Sequence, residues 1–92
     1  MPDYCVYILS NRNRRVYIGC TRDLTRRLYL HRHSPHPHFT RRYNVLTLVY
    51  VEWAVDAMSA VRRERQIKGW TRAKKVALIE RMNPDWAPLG GL

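Results

Sequence analysis

Acidic residues are scarce in this chain of 92 residues. The sequence has seven Asp and Glu but seventeen Lys and Arg, and its formal net charge is +10. A charge of that size on so short a chain favours a polyanionic partner, and nucleic acid is the first candidate. Two alternatives remain open: the charge only keeps the protein in solution, or it attracts the protein to an anionic membrane surface.

Lysine is also rare, because fourteen of the seventeen basic residues are arginine. The planar guanidinium group matches phosphate oxygens in a bidentate way, which solubility alone does not require. No apolar run approaches the roughly 20 residues that span a bilayer. The N-terminus lacks the basic segment that precedes the apolar one in a signal peptide. We therefore expect a soluble, cytoplasmic protein with no membrane partner.

Cysteine is limited to Cys5 and Cys20. Two thiols exclude a disulfide framework, and without a CxxC spacing they give no support for a zinc site. We expect both thiols to be reduced and buried. They would face each other across a hairpin in one register, but the sequence does not fix that register.

The first third of the chain predicts a β-hairpin followed by a helix. Residues 4–9 and 15–20 are rich in aromatic and β-branched types, and the turn-forming stretch "SNRNR" separates them. Thr21 is the predicted N-cap of the helix "DLTRRLYLHRH", with Asp23 at its second position near the positive end of the dipole. Two prolines end that helix at "SPHP".

The remainder predicts a strand and two helices after a basic loop. The loop reads "HSPHPHFTRRYN", and "VLTLVYVEW" is the longest strand signal in the chain. Asp56 is a favourable N-cap for a helix over residues 57–68, which Gly69 closes. Thr71 caps the next helix, which stops at Asn83 before a proline.

These elements run in the order β-β-α-β-α-α and predict an α+β fold with a small antiparallel sheet. We expect one domain over residues 1–83 and a short tail over residues 84–92. Trp86 and Leu89 are the residues expected to dock that tail. Asn83 is interpreted as the end of a helix rather than as a catalytic residue.

The stretch "RRERQ" places one glutamate, Glu64, among three arginines. Residues three and four apart share a helix face, so Glu64 falls on the apolar stripe of its helix while Arg62, Arg63 and Arg65 project toward solvent or a ligand. The stripe consists of Ala57, Ala60, Val61 and Ile67. An inward carboxylate is costly unless it is paired, hydrogen-bonded or bound to a metal. The ordinary explanation is an ion pair, and Lys68 is the candidate partner when no metal is present.

A second set of polar residues is predicted on the sheet side of the first helix. His31 lies on the same side as Leu24 and Leu28, and Arg27 flanks it one turn earlier. On the strands, Tyr7 shares a face with Cys5 and Leu9, and Tyr17 shares one with Gly19, which leaves room for another group. Such tyrosines most often fill a core, but a phenol can also hold a proton of a nucleophilic water.

Taken together, the motifs "CVY", "YIG", "TRDLTRRLYLH" and "ERQIK" resemble the GIY-YIG nuclease domain. The downstream stretches "FTRRYNVLTLVYVEW" and "KKVALIERMNPDW" are similar to small standalone members, so the resemblance covers nearly the whole chain. Cys5 and Val6 replace the glycine and isoleucine of the first motif, whereas its tyrosine is retained. The resemblance implies a three-stranded antiparallel sheet flanked by helices.

The resemblance also implies an activity, that of a DNA endonuclease using one Mg²⁺ or Mn²⁺ ion, like the nuclease half of the excision-repair protein UvrC and the homing endonucleases. By motif, Glu64 matches the metal ligand, Arg27 the phosphate-contacting arginine, and Tyr7 and Tyr17 the paired tyrosines. His31 matches a histidine present in many members and would relay the proton. Tyr7 is the preferred base, although the choice between the tyrosines stays open. It would need cationic neighbours to lower its pKa.

Other basic and aromatic residues could form a track for a phosphate backbone, with merely solvated side chains as the alternative. They are Arg41, Arg42, Tyr43, Arg62, Arg63, Arg65, Lys68, Lys74 and Lys75. DNA is the expected substrate, RNA is not excluded, and a protein partner could supply specificity, as in structure-specific repair. A chain without an added recognition domain also favours an alternative: a nucleic-acid-binding module of the same fold with weak or no catalysis. The histidines alternating with proline in the basic loop are interpreted as loop residues, not as a metal site.

Overall fold

The structure is a computed structural model that describes residues 3–33 and 45–89. Its elements in chain order are β1 (Tyr4–Ser10), β2 (Val16–Thr21), α1 (Leu24–His33), β3 (Thr47–Ala54), α2 (Ala57–Lys68) and α3 (Arg72–Met82). The order β-β-α-β-α-α and the α+β class are as predicted. Arg41, Arg42 and Tyr43, together with the two histidines at 36 and 38, lie outside the described residues. Within the two described ranges, none of the helices has the length and apolar character needed to cross a bilayer.

The sheet has three strands in the order β2-β1-β3, and β1 pairs antiparallel with both neighbours. Since β1 is central, each of its residues from Cys5 to Ser10 is buried. A shift in register between Ile8 and Leu9 interrupts the pairing with β3. The predicted three-stranded antiparallel sheet flanked by helices is therefore confirmed.

Helices cover the sheet on both faces. The odd-numbered residues of β1, such as Tyr7, point to one face of the sheet and pack with Leu24 and Leu28 of α1. The even-numbered residues, such as Val6, point to the other face and pack with Ala60 and Ile67 of α2 and with residues of α3. Alternation along a strand thus decides which helix a side chain meets.

The register corrects one expectation about the cysteines. Cys5 lies opposite Thr21, and Val6 lies opposite Cys20. Directly opposed residues point to the same face, so the two thiols point to opposite faces and do not meet across the hairpin. Both are free cysteines, Cys5 buried and Cys20 half-buried.

The helix caps follow the sequence with one exception. Asp56 accepts from the Ser59 N–H at 2.7 Å and Thr71 caps α3 in the same way, as predicted. At α1 the cap is Asp23, whose Oδ1 accepts from the Arg26 N–H at 3.1 Å, and not Thr21. The helix begins at Leu24, so Asp23 holds the position directly before it, and Thr21 Oγ1 accepts from the Asp23 N–H instead.

The segment after α3 packs against the sheet. Trp86 belongs to the core and donates from Nε1 to Glu80 at 2.7 Å, and the Leu89 N–H donates to the Leu48 carbonyl at 2.9 Å. The buried Asn83 side chain donates to the Val49 carbonyl at 3.0 Å. Docking through Trp86 and Leu89 is confirmed, and Asn83 is occupied by contacts that hold this segment in place.

Candidate active site

Three aromatic side chains meet on the α1 face of the sheet. Tyr7 of β1 and Tyr17 of β2 lie with ring centroids 6.3 Å apart, and the His31 ring of α1 is 5.0 Å from Tyr17. The Tyr7 hydroxyl and His31 Nε2 are hydrogen-bonded at 2.9 Å, in a buried position. Two strands and one helix thus bring together a phenol–imidazole pair and a second phenol.

Gly19 makes this arrangement possible. It lies opposite Tyr7 in the β1–β2 register, and an added Cβ would stand 2.5 Å from the Tyr7 hydroxyl oxygen and 2.7 Å from its Cζ. The group for which the glycine leaves room is therefore the phenol of Tyr7. The glycine is needed for space and not for backbone freedom.

Burial determines the ionisation of Tyr7. Burial raises the pKa of Tyr7 well above its usual range, the nearby phenol of Tyr17 adds to the rise, and Arg27 opposes it. Arg27 is a cationic neighbour of the kind that Tyr7 would need, but desolvation of the phenolate outweighs this exposed guanidinium, so the net shift of the pKa is upward. Tyr7 is a neutral phenol that can donate its proton to His31 Nε2. Tyr17 is half-buried and is the more accessible of the two phenols.

Glu64 lies on α2, across the sheet from the three rings. Its side chain is 18 % exposed, and Lys68 Nζ is 3.3 Å from Oε2. The predicted ion pair is present. Ala60 and Ile67, each about one turn away, are buried, so the carboxylate stands at the border of the buried stripe.

Charged residues on both faces of the sheet act on the Cys20 thiol of β2. Burial raises the pKa of its thiol, and Glu64 raises it further, while Lys68 and then Arg27 lower it. Charges on both α1 and α2 therefore act on a thiol of β2, an outer strand of the described sheet. The three rings lie on the α1 face of the sheet and Glu64 lies on α2.

The donor set near Glu64 is sparse. Among residues 3–33 and 45–89, no group of three or more His, Cys, Asp or Glu could together hold a metal ion. A single half-buried carboxylate fits Mg²⁺ or Mn²⁺ chemistry better than zinc, since Mg²⁺ keeps several waters and takes one or two carboxylates plus phosphate oxygens. Glu64 is the residue that would hold such an ion.

The model of the GIY-YIG catalytic domain family matches residues 3–77. The chain belongs to the GIY-YIG family. It is 34% identical over 76 residues to a UPF0213 protein of Bacillus pumilus, covering 83% of this chain and 78% of the relative. A UPF0213 protein of Haloquadratum walsbyi is 36% identical over 81 residues, with 87% and 91% covered.

A solved structure agrees with this assignment. The NMR structure of a UPF0213 protein from Bacillus halodurans is similar with a TM-score of 0.59 and 28% identity, over 90% of this chain and 88% of that one. GIY-YIG domains are the catalytic domains of a nuclease family. The chain is thus a small member of that family related to the UPF0213 proteins.

The basic residues predicted to contact a phosphate backbone differ in their exposure and in their contacts. Arg62, Arg65, Lys68 and Lys74 are exposed and Lys75 is half-buried. Arg63 was expected to project toward solvent or a ligand. Instead, its Nε donates to Glu52 of β3 at 2.6 Å. Sequence reasoning missed this pair. The signal was present in the alternation along β3, which puts Glu52 on the face that α2 covers.

Arg63 is further fixed by its surroundings. Its guanidinium lies 5.1 Å from the ring centroid of Trp70, and Nη1 donates to Gln66 at 2.8 Å. Tyr50 also donates to Glu52, and burial together with that bond raises the pKa of Tyr50 to about 12. The bonds to Glu52 and Gln66 and the contact with Trp70 therefore give Arg63 a structural role in joining α2 to β3.

Lys68 pairs with Glu64 in this GIY-YIG domain and would compete with a divalent cation for the carboxylate. We expect Lys68→Gln to lower the Mn²⁺ concentration that half-saturates the chain. The fall should be about 1.4- to fivefold, since exposed ion pairs contribute about 0.2–1 kcal/mol. Loss of the free Mn²⁺ signal in electron paramagnetic resonance measures it. Arg65→Gln removes the same charge from the same helix without touching the pair, and an equal shift in that variant would contradict the prediction.

Proposed function

We propose that this protein is an endonuclease that hydrolyses phosphodiester bonds of DNA with the help of one Mg²⁺ or Mn²⁺ ion. The observation that carries the proposal is the buried phenol–imidazole pair of Tyr7 and His31 with a second phenol, Tyr17, beside it. A half-buried carboxylate, Glu64 on α2, is the candidate metal ligand. Membership of a nuclease family supports the proposal. The net charge of +10 favours a polyanionic substrate.

Arg27 is suited to binding the scissile phosphate. Its guanidinium is exposed on α1, yet its charge reaches both Tyr7 and Cys20. A bidentate guanidinium can hold two phosphate oxygens and oppose the charge that grows on them during displacement. A divalent ion held by Glu64 would add further charge stabilisation, at the leaving oxygen as well.

The tyrosines and His31 position the attacking water and accept its proton in the proposed mechanism. Tyr17, the more accessible phenol, holds that water against the phosphate. Because the pKa of Tyr7 is raised by burial, Tyr7 does not act as a free phenolate. The proposed step requires the attacking water to reach the Tyr7 hydroxyl, which is buried in the free protein. Tyr7 would then take a proton from the water as it gives its own to His31 Nε2, 2.9 Å away, so that the positive charge ends on the imidazole.

A structure-specific, repair-related role in the cytoplasm is consistent with this chemistry, and a protein partner could direct it. RNA carries the same phosphodiester and is a candidate substrate as well. The second candidate function is a nucleic-acid-binding module with weak or no catalysis. Complete burial of Tyr7 is the observation that favours it, because a phenol with no exposed surface is closed to an attacking water from solvent.

A substrate panel tests the proposal. Labelled duplex, nicked, flap, branched and single-stranded DNA, with an RNA counterpart, are incubated with Mg²⁺ or Mn²⁺ and, in parallel, with EDTA. We expect at least one DNA to be cut with metal and none with EDTA. Salt-dependent binding without product from any substrate would select the binding module, and cleavage that is unchanged in EDTA would overturn the metal assignment.

A further inference from the structure

A basic groove runs between α2 and α3. It is lined by Arg63, Trp70, Lys74, Ala77, Leu78 and Arg81. Glu52 compensates the charge of Arg63, but within the described residues no carboxylate lies within 4.0 Å of the side-chain nitrogens of Lys74 or Arg81. Lys74 and Arg81 are therefore two cations of the groove without a carboxylate partner among the described residues. The apolar lining of the groove is Trp70, Ala77 and Leu78.

This groove and the candidate active site lie on opposite flanks of α2. Arg63 and Glu64 are consecutive, so they point about 100° apart around the helix axis. The buried residues Ala60 and Ile67 fall between the two directions, and Arg63 pairs with Glu52 on β3. The solvent-facing surface between the groove and the candidate active site is the outer face of α2, where Arg62, Arg65 and Gln66 are exposed.

We infer that the groove is a second nucleic-acid-binding site, filled by the continuation of the strand that is cut at β2. The inference rests on the proposed function. A strand leaving the active site would cross the outer face of α2, where Arg62 and Arg65 can contact phosphates, and enter the groove. Its backbone would be bound by Lys74 and Arg81.

The spacing of the two cations suits a phosphate backbone. Lys74 and Arg81 are seven residues apart on α3, or about 10.5 Å along the helix axis and on nearly the same face, so they can contact two different phosphates of one strand. Trp70, Ala77 and Leu78 offer an apolar surface to sugars or a base. Arg63, held by Glu52 and Gln66, fixes one side of the Trp70 ring and leaves the phosphates to the other two cations.

The test measures binding of a fluorescent oligonucleotide in EDTA, so that cleavage does not interfere, between 50 and 200 mM salt. Each phosphate contact contributes about −0.7 to −0.9 to the slope of log affinity against log salt. We expect Lys74→Gln/Arg81→Gln to bind more weakly at low salt and to lose about 1.4 to 1.8 from that slope. The matched control is Arg12→Gln/Arg15→Gln, which removes the same charge from the β1–β2 turn and should keep the wild-type slope.

The outcomes separate the inference from the proposed function. Equal slopes in the two double variants, with cleavage retained, would overturn the groove and leave the nuclease standing. A flattened slope restricted to the groove variant supports the groove even if no substrate is cut. Equal slopes, together with polyglutamate binding that is weaker in the groove variant than in the wild type, would assign the two cations to an acidic protein and overturn the inference.

Discussion

Replacing Glu64 with glutamine is expected to lower the rate of DNA cleavage by on the order of a hundredfold to a thousandfold, the loss typical of removing one group that supports transition-state charge. Glutamine keeps the shape of the side chain but has no charge with which to hold a divalent ion. Lys68 would lose its partner, yet it is 51 % exposed and water can solvate it. Stability should therefore change by less than about 1 kcal/mol. Single-turnover cleavage and a thermal melt measure the two effects.

Glu80→Gln is the matched control for this change. Glu80 is also a half-buried carboxylate on a helix, with Arg14 at 3.6 Å, but it lies on α3, where it accepts from the Trp86 indole. A glutamine oxygen can still accept from the Trp86 indole. Cleavage in this variant should stay at the wild-type rate. If Glu64→Gln cleaved as fast as Glu80→Gln, Glu64 would not hold a catalytic metal.

Gly19→Ala is expected to reduce both stability and cleavage. The new Cβ would lie 2.5 Å from the Tyr7 hydroxyl oxygen and 3.1 Å from Cε1 of Tyr17, closer than side chains pack. Tyr7 is fully buried and hydrogen-bonded to His31, so it cannot swing aside without moving the imidazole. Overpacking of this kind costs about 1–3 kcal/mol. A displacement of about 1 Å in the phenol–imidazole pair should cost about a hundredfold in cleavage rate.

Gly69→Ala controls for the added methyl group. At Gly69 the nearest atoms to a new Cβ are backbone carbonyl oxygens at 3.6 and 3.7 Å, which is ordinary contact. Chemical denaturation and the cleavage rate should both stay near the wild-type values. Adding Tyr7→Phe to Gly19→Ala removes the closest clashing atom, so it should recover part of the stability but none of the cleavage. If Gly19→Ala kept the wild-type stability and cleavage rate, the packing of Tyr7 against Gly19 would not be as tight as the structure indicates.

Local signals in the sequence predicted the elements well. Asp56 and Thr71 each stand directly before an apolar periodic run, so their capping roles depend on nothing distant. The strands were legible because alternation and β-branched residues extend over six or more positions. The α1 cap was mistaken because Thr21 and Asp23 are both good capping residues two positions apart, and the choice depends on where β2 ends.

Features that depend on register or on distant pairs could not be predicted in the same way. A slip of one residue reverses every side chain of a strand, so the faces of Cys5 and Cys20 required the structure. The ion pair of Arg63 needed the position of β3 relative to α2. Burial of Tyr7 likewise results from three elements packing together, and its upward effect on the pKa outweighs the lowering by Arg27. Composition and motif, by contrast, were sufficient for the family.

The contacts of Asn83 and Leu89 affect how the molecule meets other copies of itself. β3 is an outer strand of the described sheet, and such a strand exposes unpaired carbonyls that can recruit a strand from another molecule. The Asn83 amide and the Leu89 N–H occupy the carbonyls of Val49 and Leu48. The segment after α3 thus shields this end of β3 from edge-to-edge association and helps a concentrated solution of the protein to resist aggregation.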